Sequence, residues 1–441
     1  MSSTTPIESR RLALPEGTLP VGLALLVAGV ATYAFFKIGN VALGGDEEFK
    51  PIADMWFATF ALAPGFFLPL EQELGRAVSH RTARGEGSRP VVTRIVAIGV
   101  AITTTVLLAI LVTSPLLVTH YFDGNWWMLV ALATAFTAYA PAHLSRGICA
   151  GSGRFRSYAY VMGSDGIVRI LACVALAWIG IGSPAPYAFA VALSPIVAVV
   201  VIGFRGDLHT EPGPPAGWSE VTQNLGWLLI GTVFAAGLLN AGPVAASILA
   251  EDEQAELVTQ FGYGVLLARI PLFLFQAVQA ALLPRLARQA ARGELDEFRA
   301  GFWRLMQLVA IVGTLGTVGA FFVGPLAIDL VYGATLSGRT LATLAVSSSI
   351  YMACIATAQA VIALRAHALV AVGWLVGVAA FFLGTWWSSD DLFRRIEIGL
   401  VMSSCASLVV FVLALRRQLS LAIRPTHGSM MEAITDMPFE S

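Results

Sequence analysis

Residues 204–220 read FRGDLHTEPGPPAGWSE. The stretch holds Asp207, His209, Glu211 and the prolines Pro212, Pro214 and Pro215, while long apolar segments lie on both sides of it. Proline has no amide donor, and alternating Pro and Gly favour an extended, solvated chain over a buried helix, so this stretch does not lie in hydrocarbon. It reads as a linker between two halves of one membrane protein.

Composition sets the class. Hydrophobic residues make up 57% and charged residues 12% of the 441 residues, with a mean hydropathy of +0.75. An ordinary soluble domain carries about a quarter charged residues. The formal net charge of -1 provides no basic field, and no basic patch is interleaved with aromatics, so no nucleic-acid partner is expected. Cys149, Cys173, Cys354 and Cys405 lie in apolar segments without metal-type spacing and read as small core residues. Arg10 and Arg11 precede an apolar run too long for a cleavable signal, so the first span is expected to remain as an anchor.

A helix crosses the hydrocarbon core with about 20 apolar residues. Such runs occur at 20–43, 52–75, 94–118, 126–147, 158–182, 186–204, 223–250, 257–283, 305–331, 340–364, 366–387 and 396–415. Six precede the linker and six follow it. The expected organisation is an N-terminal segment 1–19, an N-lobe 20–204, the linker 205–222, a C-lobe 223–416 and a disordered tail 417–441. Positive charge tests the topology, since cytoplasmic loops hold the excess of Lys and Arg. Most of the 27 cations fall on the side of the N-terminus, in the loops around 76–94, 146–156 and 285–304 and in the tail. Both termini and the linker are therefore expected in the cytoplasm.

The halves also resemble each other. LGRAVSHRTARGE (Leu74 to Glu86) follows the second span and LPRLARQAARGE (Leu283 to Glu294) follows the eighth. A run containing VAI comes after each, at Val96 to Ile98 and at Val309 to Ile311. With six spans per unit, both copies run the same way through the membrane, a parallel repeat.

Charges within spans are informative, because each costs roughly 2.5–3.5 kcal/mol at bilayer depth on insertion scales and needs a partner or a wet cavity. Lys37 shares a face with Tyr33 and Asn40. It reads either as a cavity cation or as a lysine snorkelling to the headgroups. Arg269 lies near the middle of the eighth span, with Gln276 and Gln279 on the same stripe. It reads as an anion-binding fork, as half of an ion pair or as a cap on broken-helix carbonyls. Asp165 and Arg169 are four apart, the spacing of a structural intramembrane pair. Glu71 and Glu73, close to Arg76, read as an interfacial charge cluster or, if shielded in the cavity, as coupling or gating acids. Pro64, Pro69, Pro243 and Pro271, with Gly65 and Gly242, are expected to kink the second, seventh and eighth spans around a cavity.

Enzyme motifs are missing: there is no P-loop, no G-x-S-x-G and no H-E-x-x-H. No catalytic residue, metal or cofactor is expected. Asp46, Glu47 and Glu48, in a short loop, read as solvated rim charges, although membrane glycosyltransferases commonly place catalytic acids in such a loop.

The 6+6 spans, the central linker, the ARGE-type segments and RGICAGSGRFRSYAYVMGSDGIVR (Arg146 to Arg169) together resemble the polysaccharide-exporter branch of the MOP flippase superfamily, and more distantly its lipid II flippases. The major-facilitator pattern fits less well, because Gly75, Arg76, Ala77 and Val78 lack its Asp. The resemblance implies an all-α polytopic membrane protein with twelve transmembrane helices in two six-helix lobes around a central cavity. Helices one, two, seven and eight would line that cavity, with Tyr33, Asn40, Asn240, Gln276 and Gln279 as its polar lining and Lys37 and Arg269 holding a phosphate headgroup. It implies an alternating-access flippase for a lipid-linked saccharide in the cytoplasmic membrane, driven by H+, Na+ or the membrane potential, with membrane lipids and envelope glycosyltransferases as partners. A multidrug or cation exporter of the same superfamily and a polyprenyl-phosphate-sugar glycosyltransferase are the alternatives.

Overall fold

The computed structural model describes residues 18–222, 225–272, 275, 289–290, 292–364 and 366–422. Every regular element among them is helical. The N-terminal half comprises α1 (Thr18–Leu43), α2 (Asp46–Ala83), α3 (Arg89–Val112), the short α4 (Ser114–His120), α5 (Trp126–Gly151), α6 (Phe155–Ile179) and α7 (Pro184–Phe204). The C-terminal half comprises the short α8 (Ser219–Thr222), α9 (Leu225–Leu249), α10 (Ala255–Ala268), α11 (Leu295–Phe322), the short α12 (Gly324–Tyr332), α13 (Gly338–Ala363), α14 (His367–Trp387) and α15 (Leu392–Ala422). Eleven of the described helices are long and apolar enough to cross a membrane. The eighth expected span begins with α10.

Two expected spans, 94–118 and 305–331, are each divided. α3 ends at Val112 and α4 starts at Ser114, while α11 ends at Phe322 and α12 starts at Gly324. The reason is visible in the sequence: Pro115 and Pro325 are the second residues of α4 and α12, where a missing N–H is harmless at a new helix start but breaks a continuing helix.

The same devices recur at matching places in both halves. After α4, Asn125 Oδ1 accepts the Trp127 amide at 3.0 Å and caps α5. After α12, Ser337 Oγ accepts the Thr340 amide at 3.1 Å and caps α13. Partner helices repeat as well. α1 packs on α6 as α9 does on α14, α2 on α5 as α10 on α13, and α5 on α7 as α13 on α15. Each half buries its own apolar core, and Tyr263 and Leu266 of α10 join the core of the N-terminal half. The closest joint between the lobes is α2 against α9, where Gly65 faces the Val233 backbone so closely that a Cβ at 65 would lie 2.7 Å from the Val233 Cα.

The linker is extended and largely exposed, as expected, but it is also tied against the end of the N-lobe as a strap. The Arg89 amide donates to Glu211 O at 3.0 Å, and Arg154 reaches the carbonyls of Asp207 and His209. Arg81, 2% exposed, donates to Pro214 O at 2.8 Å and holds both carboxylate oxygens of Glu220. Arg94 stacks on Trp218 at 4.4 Å. A proline-rich extended chain has carbonyls without internal donors, and loop arginines supply them. Gly87 is required here, since a Cβ would collide with Pro212 O.

Candidate functional site

The seam between α1 and α2 of one lobe and α9 and α10 of the other gathers most of the polar residues expected in the cavity. α10 ends at Ala268, two residues short of the residue preceding Pro271, and Arg269 forms its C-cap. The Arg269 side chain is 6% exposed. Nη1 donates to Asn240 Oδ1 at 2.9 Å, Nη2 donates to Leu239 O, and the guanidinium lies 6.0 Å from the Phe57 ring centre. Leu239 is four residues before Pro243, so its carbonyl has lost its helical donor. Arg269 thus performs the carbonyl-capping role that was one of its three sequence readings.

Asn240 is tied on its other side as well. Since a guanidinium only donates, Oδ1 must face Arg269, which directs Nδ2 to Phe60 O of α2 at 2.9 Å. Tyr33 donates to Leu266 O at 2.7 Å, at the broken end of α10. Lys37, half-buried, lies one turn from both Tyr33 and Asn40 on this face. Among the described residues, neither Lys37 nor Arg269 has a carboxylate within ion-pair distance. Gln276 and Gln279 lie outside the described residues.

At the face remote from the linker, Asp46 is not the solvated rim charge expected. Its Oδ1 accepts from Asn40 Nδ2 at 2.5 Å and from Tyr263 OH at 2.8 Å, and its Oδ2 accepts from Gln260 Nε2 at 3.1 Å. Thr259 adds a bond to Asp46 O at 2.9 Å. One carboxylate thereby knots α1 and α2 to α10. Glu47, Glu48 and Glu256 line an adjoining open pocket of about 370 Å³. Sequence reasoning missed Thr259, Gln260 and Tyr263; their polar positions on one face of an otherwise apolar helix were the available signal.

Glu71 is placed elsewhere than the cavity. It points into the N-lobe, where Oε2 accepts from Arg146 at 2.7 Å and lies 2.8 Å from His143 Nδ1, and Oε1 accepts from Tyr158 at 2.8 Å. His143 and Arg146 were legible as polar residues three apart on one apolar span, but the spacing did not name their partner. Glu73 pairs with Arg76 at 2.5 Å. Asp165 Oδ2 lies 3.5 Å from Arg169 Nη1, and Arg169 stacks on Trp56 at 4.5 Å, all within the N-lobe. The C-lobe holds a cavity of only about 30 Å³ beside Arg269, Ser347 and Tyr351.

No family model and no curated protein matches the chain. Solved structures do. An inward-facing conformation of a multidrug resistance MATE family transporter of the MOP superfamily matches with a TM-score of 0.71 at 14% identity, covering 92% of this chain and 99% of that one. The fold is that of the MATE transporters. An outward-facing conformation of a MATE family transporter matches at 0.64 and 14% identity, over 92% and 96% of the two chains. The Vibrio cholerae MATE transporter VcmN matches at 0.65 and 15% identity, over 91% and 97%. The all-helical, two-lobe architecture expected of the sequence is therefore present, with eleven candidate membrane helices among the described residues.

Proposed function

We propose that this chain is an alternating-access exporter whose substrate carries an anionic headgroup, with a lipid-linked saccharide bearing phosphate or pyrophosphate as the class. An asymmetry in buried charge supports the reading. Among the described residues, every buried carboxylate has a cation: Asp54 has Lys50, Glu71 has Arg146, Glu73 has Arg76 and Glu397 has Arg339. Arg269 has an amide oxygen and a carbonyl instead, and Lys37 beside the same seam has no acid. Around Arg269 and Lys37, away from the acids at the Asp46 end of the seam, unpaired cations attract anions, and a guanidinium fork matches phosphate oxygens two at a time.

In this reading the headgroup enters between the lobes, Arg269 and Lys37 hold it, the lipid tail stays in the bilayer and the lobes rock. The Asp46 knot closes the outer side in the state described here. Its three donors give Asp46 a structural role in that closure. Envelope glycosyltransferases are the class of enzyme that makes such a lipid.

Proteoliposomes test the proposal with two probes, a fluorescent polyprenyl-pyrophosphate sugar and a lipophilic cationic dye. Transfer of the lipid by the parent and its loss in Arg269→Gln are expected. Movement of the dye but not the lipid would replace this reading with that of a multidrug exporter.

A further inference from the structure

Membrane helices interrupted by proline have one carbonyl each, four residues upstream, without its donor. Besides Arg269 at Leu239 O, a cap from the same lobe, two arrangements satisfy such carbonyls here. In Ser114-Pro115 and Ser194-Pro195 the preceding serine stands at the freed carbonyl, Ser114 Oγ donating to Leu111 O at 2.7 Å, while Ser194 Oγ lies 3.1 Å from Val191 O and shares its one proton with the Asp165 carboxylate. Pro64 and Pro69 of α2 follow Ala63 and Leu68, which have no hydroxyl. The carbonyls they free, Phe60 O and Gly65 O, are taken by the other lobe. Asn240 Nδ2 lies 2.9 Å from the first and Thr232 Oγ1 lies 2.8 Å from the second. Both donors belong to α9 and meet α2 in antiparallel order.

We infer that these two proline-freed carbonyls of α2, with Asn240 and Thr232 of α9 as their donors, form a latch between the lobes in this state, beside the Asp46 knot. The bonds are made across the moving joint, so each must break when the lobes part, and water or another donor must then reach a carbonyl that the bilayer leaves dry. Local serines impose no such condition. The tight approach at Gly65 keeps α9 within reach of both carbonyls. Thr232 has a single proton and also lies 2.8 Å from Leu228 O of its own helix, so its hydroxyl has a ready alternative when the lobes separate. Asn240 holds Arg269 through the opposite side of its amide. An anion drawing Arg269 away would loosen Asn240 too; that last coupling rests on the proposed function, whereas the latch does not.

The test is a distance measurement without substrate. Spin labels at Val41→Cys and Glu251→Cys, both exposed at the face remote from the linker and on opposite lobes, report opening in a Cys405→Ala background. Asn240→Ala should raise the ratio of open to closed molecules roughly fivefold, the effect of one lost hydrogen bond. Pro64→Ala returns an amide to Phe60 O, so in that background Asn240→Ala should shift the ratio much less. Thr232→Val with and without Pro69→Ala is the parallel pair and leaves Arg269 untouched, so it decides the matter if Asn240→Ala fails to fold. Unchanged distances in folded variants, or equal shifts with and without the proline, would overturn the latch.

Discussion

Arg269 closes the carbonyl of Leu239, the carbonyl that Pro243 leaves without a donor four residues farther along α9. The same guanidinium pairs with no carboxylate among the described residues, so its charge stays available while its geometry is fixed. Arg269→Gln should therefore lower stability by about 1–3 kcal/mol, the range for leaving a buried polar group unpaired. Arg269→Lys keeps the charge but loses the fork, and should recover lipid transfer only in part. Thermal unfolding in detergent and the vesicle assay separate the two effects.

Glu71 satisfies Arg146, His143 and Tyr158 inside the N-lobe. Removing one partner of a buried ion pair costs about 3–5 kcal/mol, because the other charge is stranded. Glu71→Ala should unfold the protein at markedly lower temperature, and Glu71→Ala with Arg146→Ala should be less damaging than Glu71→Ala alone. Unfolding midpoints of the two variants give the comparison.

Asp46→Asn replaces one acceptor oxygen with a donor that faces either Gln260 Nε2 or the pair Asn40 and Tyr263, all of them donors in the present network. The knot should loosen, and Asp46→Ala should loosen it further. A cysteine replacing the half-buried Lys37 should then react with a membrane-impermeant maleimide several-fold faster than in the parent, about the effect of one or two lost hydrogen bonds.

Arg81 is the buried anchor of the strap. Arg81→Ala strands Glu220 and frees Pro214 O, so the strap should lift from the N-lobe. Cleavage between Thr210 and Ser219 by a broad-specificity protease should accelerate about tenfold or more, as expected when local opening becomes easier. Glu220→Gln, which keeps a neutral hydrogen bond, should show a smaller rise.

Much of the fold was legible because hydrocarbon imposes a simple rule on length and apolarity. The runs of apolar residues placed the helices, and the ARGE segments after the second and eighth spans pointed to the repeat that the caps at Asn125 and Ser337 and the partner helices display. The site was legible only as a list of costly groups. Spacing along one helix showed that Tyr33, Lys37 and Asn40 share a face, but not that α10 covers it. For Glu71 it could not distinguish the seam from the lobe interior. The arginines of the loops on the linker side read as topology signals, which hid their second use as donors to the strap. Asp46 looked like a solvated acid because two of its three donors, Gln260 and Tyr263, lie more than two hundred residues away.

The strap also changes the mechanics of the joint between the halves. Because Arg81 and Arg94 hold Glu220 and Trp218 to the N-lobe, only a handful of residues separate that anchorage from the start of α9 at Leu225. The seventeen-residue stretch that reads as a long flexible leash therefore behaves as a short one with its slack taken up. Extra residues inserted between Gly206 and Thr210 would lengthen the chain without lengthening the tether, so tags and epitopes belong there, whereas the same insertion after Glu220 would give the C-lobe a freedom it does not now possess.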